Sequence, residues 1–326
     1  MTSNIQATDC YDNSELSLYK SCPRSYFIRY ILGWRAEGTS PALVFGGSWH
    51  EGMDAIWGHA KEYKPADLRE LAMEAFEKHW EEGGMPPCRS LEEQESLLPR
   101  TPGVAREMYE NYISQRWNVL QQCEVIAIEQ PIAIPMPGMP GKFYIGKLDK
   151  VIEYNGQVLI LEHKTSSAYA IKGQFQPYFT ESWDSAAQVK GYEVAGNLYY
   201  GKLDAVWVDA ALVHKKVHDA FKFIPISHKQ ELLENWLEST REWIRRVEAD
   251  KAAFAAQGNL GNGIFPINEE NCWGKYGPNP FLNLLSTVRD PSLLKEPPPG
   301  YVFERWEPFN KLGLNEILNK QHDKEK

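Results

Sequence analysis

The chain has 326 residues, of which 43% are hydrophobic, and it carries a formal net charge of −9. This length suits one large domain or two smaller ones, and the 11 Trp and 16 Tyr residues argue against disorder outside the ends. The acidic balance argues against a broad, non-specific nucleic-acid coat, although it allows a local basic groove. No apolar run approaches the roughly 18 residues of a membrane span, and the polar N-terminus has no signal-peptide core. We therefore expect an intracellular, cytoplasmic protein with no membrane partner.

The helical patterns dominate the first third of the chain. Ser14 is expected to cap the first helix, which Pro23 interrupts. Helical periodicity then predicts helices over 43–62, 65–82 and 104–121, separated by loops that include 33–42 and 85–100.

After residue 123 the sequence pattern changes to an alternation of apolar and polar residues, which is typical of strands. Strands are predicted over 125–134, 143–154, 157–165, 205–213 and 220–225, with a helix over 184–198. Ser227 is expected to cap a long helix that ends near Ala256, and a Gly- and Pro-rich tail follows, with frayed residues at 320–326. These elements predict a single α/β domain with a helical part (1–123), a sheet core (124–226), and a long helix with a C-terminal strap (227–326).

Asn155-Gly156 stands between two strand patterns, and this dipeptide is the strongest short-range signal of a hairpin. If it forms a two-residue loop, Tyr154 pairs with Gln157, and the same register places Asp149 directly opposite Glu162. Lys164 then lies two residues beyond Glu162 on the same face. Facing Cβ atoms in a hairpin are roughly 5 Å apart, so the two carboxylates repel each other unless a positive charge lies between them.

One interpretation of this pair is two surface acids on a solvated sheet face. The run from Val158 to Leu161 favours a buried strand instead, where such a pair is costly without a cation or a proton. A hard divalent cation such as Mg²⁺ suits carboxylate oxygens. Lys164 would lie at the rim of this site.

The segments Gly146-Lys147-Leu148-Asp149 and Glu162-His163-Lys164-Thr165 resemble the D…ExK core of the PD-(D/E)XK nuclease superfamily. Three further segments resemble its RecB-like exonuclease branch, which includes the CRISPR adaptation nuclease and the AddB nuclease domain. They are the CPRxY segment at 22–26, the FGxxxH motif at 45–50 and the QxxxY motif at 188–192. The resemblance implies a restriction-endonuclease-like core, in which helices flank a mixed central sheet, with a helical N-terminal part.

The resemblance also implies residue roles. Asp149, Glu162 and Lys164 would be catalytic, and Mg²⁺ or Mn²⁺ would be held by His50, Asp149, Glu162 and the backbone carbonyl of His163. The His163 side chain is expected on the opposite face of the sheet. A second set would bind DNA or support the site: Gln188, Tyr192, Arg24 and Glu129.

Several lysines are candidate phosphate contacts, with ordinary surface lysines as the alternative interpretation. They are Lys147, Lys150, Lys190, Lys215 and Lys216. The segment from His50 to Asp54 lacks the second histidine of a zinc-protease helix, so we reject that interpretation.

The five cysteines are scattered and contain no CxxC pair, so neither a disulfide framework nor a zinc site is expected. Relatives in the resembled branch carry an iron–sulfur cluster on four cysteines, of which Cys22 and Cys272 match two. An iron–sulfur cluster is therefore not expected here. Hydrophobic packing in the strap would replace it, through Trp273, Tyr276, Phe281 and Leu285.

The leading functional hypothesis is a stand-alone exonuclease that acts on linear DNA ends, single- or double-stranded, in recombination, repair or phage DNA processing. No helicase motif is present, so any unwinding would come from a partner, and a helicase or a recombination or defence protein is the expected kind. The second hypothesis is a nuclease component of a CRISPR-like or anti-phage defence system. The third, from another class, is an inactive DNA-end-binding scaffold, and the intact acidic pair argues against it.

Overall fold

The structure is a computed structural model that describes residues 7–167, 174–261, 263–274 and 277–314. The chain folds into two compact units. Unit 1 comprises Met1–Gly38, Pro131–Gly146 and Glu234–Lys326, and unit 2 comprises Thr39–Gln130 and Lys147–Leu233. The single nuclease domain in three successive parts stays a prediction. Residues 320–326, which were expected to fray, lie outside the described residues.

The described helices and strands alternate in a mixed α/β order. The helices are α1 (Asn13–Ser21), α2 (Pro23–Tyr26), α3 (Pro41–His59), α4 (Pro65–Glu82), α5 (Leu91–Leu97), α6 (Pro102–Gln122), α7 (Pro177–Glu181), α8 (Ala187–Tyr200), α9 (Gln230–Gln257), α10 (Leu282–Thr287) and α11 (Pro308–Leu312). The strands are β1 (Cys10–Tyr11), β2 (Trp34–Ala36), β3 (Glu124–Pro135), β4 (Phe143–Tyr154), β5 (Gln157–Ser166), β6 (Ala205–Leu212), β7 (Phe221–Ile226), β8 (Trp273–Gly274), β9 (Gly277–Pro278) and β10 (Tyr301–Phe303). None of the helices within the described ranges combines the length and apolarity that crossing a bilayer requires.

The sheet of unit 2 is mixed, as predicted. The C-terminal part of β4 pairs antiparallel with β5, β5 pairs parallel with β6, and β6 pairs antiparallel with β7. Helices α3, α4 and α6 cover one face, where Trp49, Phe76 and Tyr109 pack with Leu161 of β5. On α8, a Cβ added to Gly196 would lie 3.1 Å from Ile160 of β5, so the missing side chain allows a close approach. The predicted arrangement of helices around a mixed sheet is confirmed.

The hairpin has the predicted register. Tyr154 pairs with Gln157, and the ladder continues in step to the pair of Lys150 with Leu161. Asn155 and Gly156 both have positive φ, 53° and 76°. This conformation is that of a type I′ turn, whose twist matches that of the two strands it joins.

Unit 1 is built around α1, α2, α9 and the C-terminal segment. Here β1 pairs parallel with the N-terminal part of β4, and β2 pairs antiparallel with β10. Phe281 is buried beside Trp34 and Tyr301, and Leu285 packs against them. Both residues therefore pack as predicted for the strap.

The prediction that Trp273 packs in the strap was wrong, because this residue is 68% exposed. Tyr276 lies outside the described residues. Cys22 is buried and Cys272 is partly exposed, and both are free thiols.

Four local predictions were wrong. Asp12, not Ser14, caps α1, since its side chain accepts a hydrogen bond from the Glu15 N–H. Residues 85–100 contain α5, which begins with a capping box formed by Ser90 and Glu93. The 33–42 segment contains β2, because pairing with the distant β10 supplies its hydrogen bonds. Helix α9 begins at Gln230, three residues after Ser227.

Candidate active site

The two strands of the hairpin separate at Asp149 and Glu162. The backbone N–H of His163 donates to Oδ2 of Asp149 at 2.8 Å, so a side chain takes the place of the next ladder bond. Asp149 is 8% exposed and Glu162 is 1% exposed. The buried acidic pair expected at this end of the hairpin is therefore present.

The two carboxyl groups differ in their ionisation. Burial raises the pKa of Glu162 to about 7, and the neighbouring charge of Asp149 adds to the rise. Burial also opposes ionisation of Asp149, but His50, Lys164 and Lys150 outweigh it and hold that pKa below its usual value. Asp149 thus loses its proton at a lower pH than Glu162 does.

Lys164 lies on the same face as Glu162 and forms an ion pair with Glu162 Oε1. Burial opposes its charge, but Glu162 and Asp149 together raise the pKa of Lys164. The ammonium group is therefore charged, and it offsets part of the repulsion between the two carboxylates.

Gln188 and Tyr192 lie one turn apart on α8 and face the hairpin. Gln188 Nε2 donates to Glu162 Oε1 at 2.9 Å and to the Tyr192 hydroxyl at 2.7 Å. That hydroxyl donates to the backbone carbonyl of Lys147 on β4 at 2.9 Å. The two residues therefore join α8 to both strands of the hairpin and orient Glu162.

His50 reaches the pair from α3. Its Nδ1 lies 3.3 Å from Asp149 Oδ2, and its side chain is 27% exposed. Burial lowers the pKa of His50, although Asp149 works in the opposite direction. The imidazole is therefore neutral at neutral pH and can donate a lone pair to a metal ion. A Cβ added to Gly46, one turn before His50, would lie 3.6 Å from Thr165 Oγ1.

The His163 side chain points away from the acidic pair, as expected. It is completely buried, and its Nδ1 lies 3.1 Å from Oδ2 of Asp209 on β6. The Tyr112 hydroxyl donates to the same oxygen at 2.5 Å, and Trp57 donates to that hydroxyl at 3.1 Å. These groups form a buried polar layer on the opposite face of the sheet. Sequence reasoning missed Asp209 and Tyr112, because no local spacing connects them to His163.

Glu129 lies in β3 with a positive φ of 52°, which is strained for a residue with a side chain. Its carboxylate forms an ion pair with Lys147, two residues before Asp149. The carboxylate also affects the pKa of His50, so Glu129 lies near the site. Its DNA-binding or supporting role stays a prediction.

Two basic residues that were expected to contact DNA are buried. Arg24 belongs to unit 1, where it is buried and donates to the carbonyls of Phe265 and Arg289 at 2.9 and 2.8 Å. Its DNA contact stays a prediction. Lys150 is completely buried and donates to Asp54 Oδ1 at 2.6 Å. The prediction of a phosphate contact by Lys150 was therefore wrong, because its side chain points into the protein.

Asp54 was not singled out from the sequence. Its position four residues after His50 on one helix could have indicated that both side chains face β4.

The donor set suits a divalent cation. Glu162 Oε2 is buried and has no hydrogen-bond partner among the residues that the structure describes, and it belongs to one of two close carboxylates. His50 adds a neutral nitrogen donor. Within the described residues, however, no three His, Cys, Asp or Glu side chains already converge around one point. Glu162 Oε1 is instead held by Lys164 and Gln188.

Comparison with known protein families identifies one for this chain. The family model of the PD-(D/E)XK nuclease superfamily matches residues 13–272. The chain is similar to the crystal structure of a candidate exonuclease from Eubacterium rectale, with 16% identity, a TM-score of 0.47, and coverage of 76% of this chain and 85% of that one. No curated protein matches the sequence.

Proposed function

The chain belongs to the PD-(D/E)XK nuclease superfamily, and on that premise we propose that it is a metal-dependent DNA nuclease that hydrolyses phosphodiester bonds. The observation that carries this proposal is the convergence of Asp149, Glu162 and Lys164, with His50 and Gln188 in contact with the two acids. A scaffold that only binds DNA ends has no need of a buried pair of repelling carboxylates.

Mg²⁺ or Mn²⁺ would be held by His50, Asp149, Glu162 and the His163 carbonyl. Such a cation supplies Lewis acidity to the scissile phosphate and to the attacking water. The orphaned Oε2 of Glu162 supports this assignment, since a buried carboxylate oxygen without a donor is costly.

The protein's own groups position the reactants. Lys164 holds a water and offsets the negative charge that grows on the phosphate as the water oxygen bonds to phosphorus. The attacking water releases a proton to the solvent and the bond from phosphorus to the leaving oxygen breaks. That oxygen takes up a proton from the solvent, and the products are a phosphate monoester and a free hydroxyl. Gln188 keeps Glu162 in place during this step, and Tyr192 keeps Gln188 in place.

The finer proposal is an exonuclease of the RecB-like branch that acts on DNA ends in recombination, repair or phage DNA processing. Its support is the order of the CPRxY, FGxxxH, D…ExK and QxxxY segments between residues 22 and 192. Lys147, Lys190, Lys215 and Lys216 are the proposed phosphate contacts. A nuclease of a CRISPR-like or anti-phage defence system would have the same site, and its gene neighbourhood would distinguish it.

Purified protein with Mg²⁺ or Mn²⁺ should degrade linear DNA, and EDTA should stop the reaction. Asp149→Ala and Lys164→Ala should each reduce the rate by at least about 10²-fold while circular dichroism stays unchanged. Lys202→Ala is the matched control, because this lysine is 80% exposed and pairs with Asp204 away from the two acids.

End-labelled linear DNA and closed circular DNA separate the two modes of cleavage. An exonuclease releases labelled nucleotides from the linear form and leaves the circle intact, whereas an endonuclease cuts both. The nuclease proposal fails if single- and double-stranded DNA in linear and circular form all survive with each metal.

A further inference from the structure

Lys150 follows Asp149 in the chain and is completely buried. A buried ammonium loses its hydration, which destabilises the folded state unless a partner compensates. Its neighbours on the same sheet face, Ile152 and Leu161, are fully buried and apolar. A leucine or methionine would therefore serve the packing at this position at least as well. The charge of Lys150 calls for a different explanation.

The partner of Lys150 supplies one. Lys150 Nζ donates to Oδ1 of Asp54 at 2.6 Å, and Asp54 lies four residues after His50 on α3. Positions four apart share one helix face. The same face of α3 thus brings His50 to Asp149, at 3.3 Å, and Asp54 to Lys150.

These two contacts join consecutive positions of β4 to consecutive turns of α3. A slide of α3 along the strand, or a rotation about its own axis, would break both at once. Other contacts of α3 have a different direction: Ser48 bonds to His79 of α4, and Trp57 bonds to Tyr112 of α6. Those contacts attach α3 to its neighbouring helices, and they do not set its position on β4.

We propose that Lys150 and Asp54 are positioning residues, which hold α3 against β4 so that the His50 imidazole meets the Asp149 carboxylate. This inference rests on the proposed function, in which His50 and Asp149 bind the cation. Neither Lys150 nor Asp54 is itself a ligand in this arrangement. Loss of their ion pair therefore weakens cation binding without removing a single donor.

Mn²⁺ binding to the DNA-free protein, measured by isothermal titration calorimetry, tests the proposal together with thermal unfolding. Asp54→Asn and Lys150→Met should each weaken Mn²⁺ binding about 10- to 100-fold, the usual effect of losing a group that orients a metal ligand. Asp54→Asn should also lower Tm, because it leaves the completely buried ammonium of Lys150 without its charged partner. In turnover assays, kcat should fall while KM for DNA stays the same.

The double variant Asp54→Leu/Lys150→Met separates positioning from stability. It contains no lone buried charge, so Tm should return towards the wild-type value. Mn²⁺ affinity should stay low, because the apolar pair no longer fixes the position of α3. Lys150→Arg, which keeps the charge, should restore part of the affinity. If the double variant or either single variant binds Mn²⁺ as tightly as the wild type, the pair is only structural and the proposal is overturned.

Two further variants complete the design. Ser48→Ala removes a hydrogen bond of the same helix to α4, so it should lower Tm and leave Mn²⁺ affinity unchanged. His50→Ala sets the affinity expected when the imidazole is absent. If the wild type binds no Mn²⁺, or if His50→Ala binds it as tightly as the wild type, the proposed metal site itself fails. A different result would overturn the positioning role alone: His50→Ala weakens Mn²⁺ binding as expected, but the variants of Lys150 and Asp54 bind Mn²⁺ as tightly as the wild type.

Discussion

Glu162 has two carboxylate oxygens in very different surroundings. Oε1 is held by Lys164 and by Gln188, whereas Oε2 is buried and meets no hydrogen-bond donor within the described part of the chain. Two donors on one oxygen fix the rotation of the carboxylate, and the free oxygen is then presented in one direction. The orientation of this single side chain thus depends on Gln188, a residue on another element.

Gln188→Ala should lower kcat about 10- to 100-fold while KM for DNA changes little, because the variant loses the orientation of Glu162. Steady-state kinetics on linear DNA measure both parameters. Asn197→Ala is the matched control on the same helix, since the Asn197 side chain accepts a hydrogen bond from the Leu203 N–H. A rise in KM with unchanged kcat would mean that Gln188 binds DNA and does not orient the carboxylate.

Gly52 shows how closely α3 packs in unit 2. A Cβ at this position would overlap the hydroxyl of Tyr109 and lie 2.9 Å from the carbonyl oxygen of Ala72. Tyr109 cannot move away easily, because it is buried and stacked on Trp49 with ring centroids 4.5 Å apart. The side chain that is missing at Gly52 is therefore a packing requirement of this helix.

Gly52→Ala should reduce the free energy of unfolding by about 1–3 kcal/mol, the usual cost of overpacking a core. Urea denaturation measures it. Gly46→Ala on the same helix is the control, since its Cβ would meet only Thr165 Oγ1 at an ordinary 3.6 Å. The gain in helix propensity should make that control neutral or slightly stabilising. Equal stability of the two variants would contradict the packing explanation.

The side chain of Thr101 caps the N-terminus of helix α6. Thr101 is buried, and its hydroxyl oxygen accepts a hydrogen bond from the Val104 N–H at 3.2 Å. At the start of α3, Ser40 occupies the equivalent position, but its side chain makes no capping bond. The two residues are similar in chemistry, and only one of them satisfies a backbone donor of its helix.

Thr101→Ala should therefore destabilise the protein by about 1 kcal/mol, and Ser40→Ala should have almost no effect. Thermal and urea unfolding of both variants provide the comparison. If Ser40→Ala lost as much stability as Thr101→Ala, the capping hydrogen bond of Thr101 would not be the cause of the loss.

The whole molecule should respond to pH through a buried acid in unit 1. Glu15 is 5% exposed, and its Oε1 accepts a hydrogen bond from the Tyr26 hydroxyl at 2.8 Å. Burial raises the pKa of Glu15 from 4.5 to about 8, and the charge of Asp12 adds to the rise. Between these two values the folded state keeps a proton that the unfolded state releases.

The free energy of unfolding should therefore be highest below about pH 4.5 as far as Glu15 is concerned, and this contribution should be lost as the pH rises to about 8. The slope can reach about 1.4 kcal/mol per pH unit for one proton. Glu15→Gln should remove this part of the slope in urea unfolding measured from pH 5 to 9. Glu37→Gln, at an exposed position, should keep it. An unchanged slope in Glu15→Gln would contradict the assignment.

The sequence alone predicted the features that depend on neighbouring residues. The Asn155-Gly156 turn sets the register of its hairpin, because the backbone angles of two residues decide which positions face each other. The acidic pair and Lys164 follow from that register. The resemblance of the short motifs then predicted that His50 and Gln188 belong to the site. In the structure, His50 contacts Asp149 and Gln188 contacts Glu162.

Only the tertiary structure decided which residues distant in the chain contact the residues next to the acidic pair. Lys150 was expected at the surface, yet its side chain pairs with the partly buried Asp54, 96 positions away in the chain. Asp209 reaches His163 because β6 pairs parallel with β5, and a parallel crossover carries no register signal in the intervening chain. Local backbone preferences specify turns and faces, whereas burial and pairing across the sheet depend on the whole folded chain. The hairpin could therefore be predicted from its residues, and the buried ion pair beside it could not.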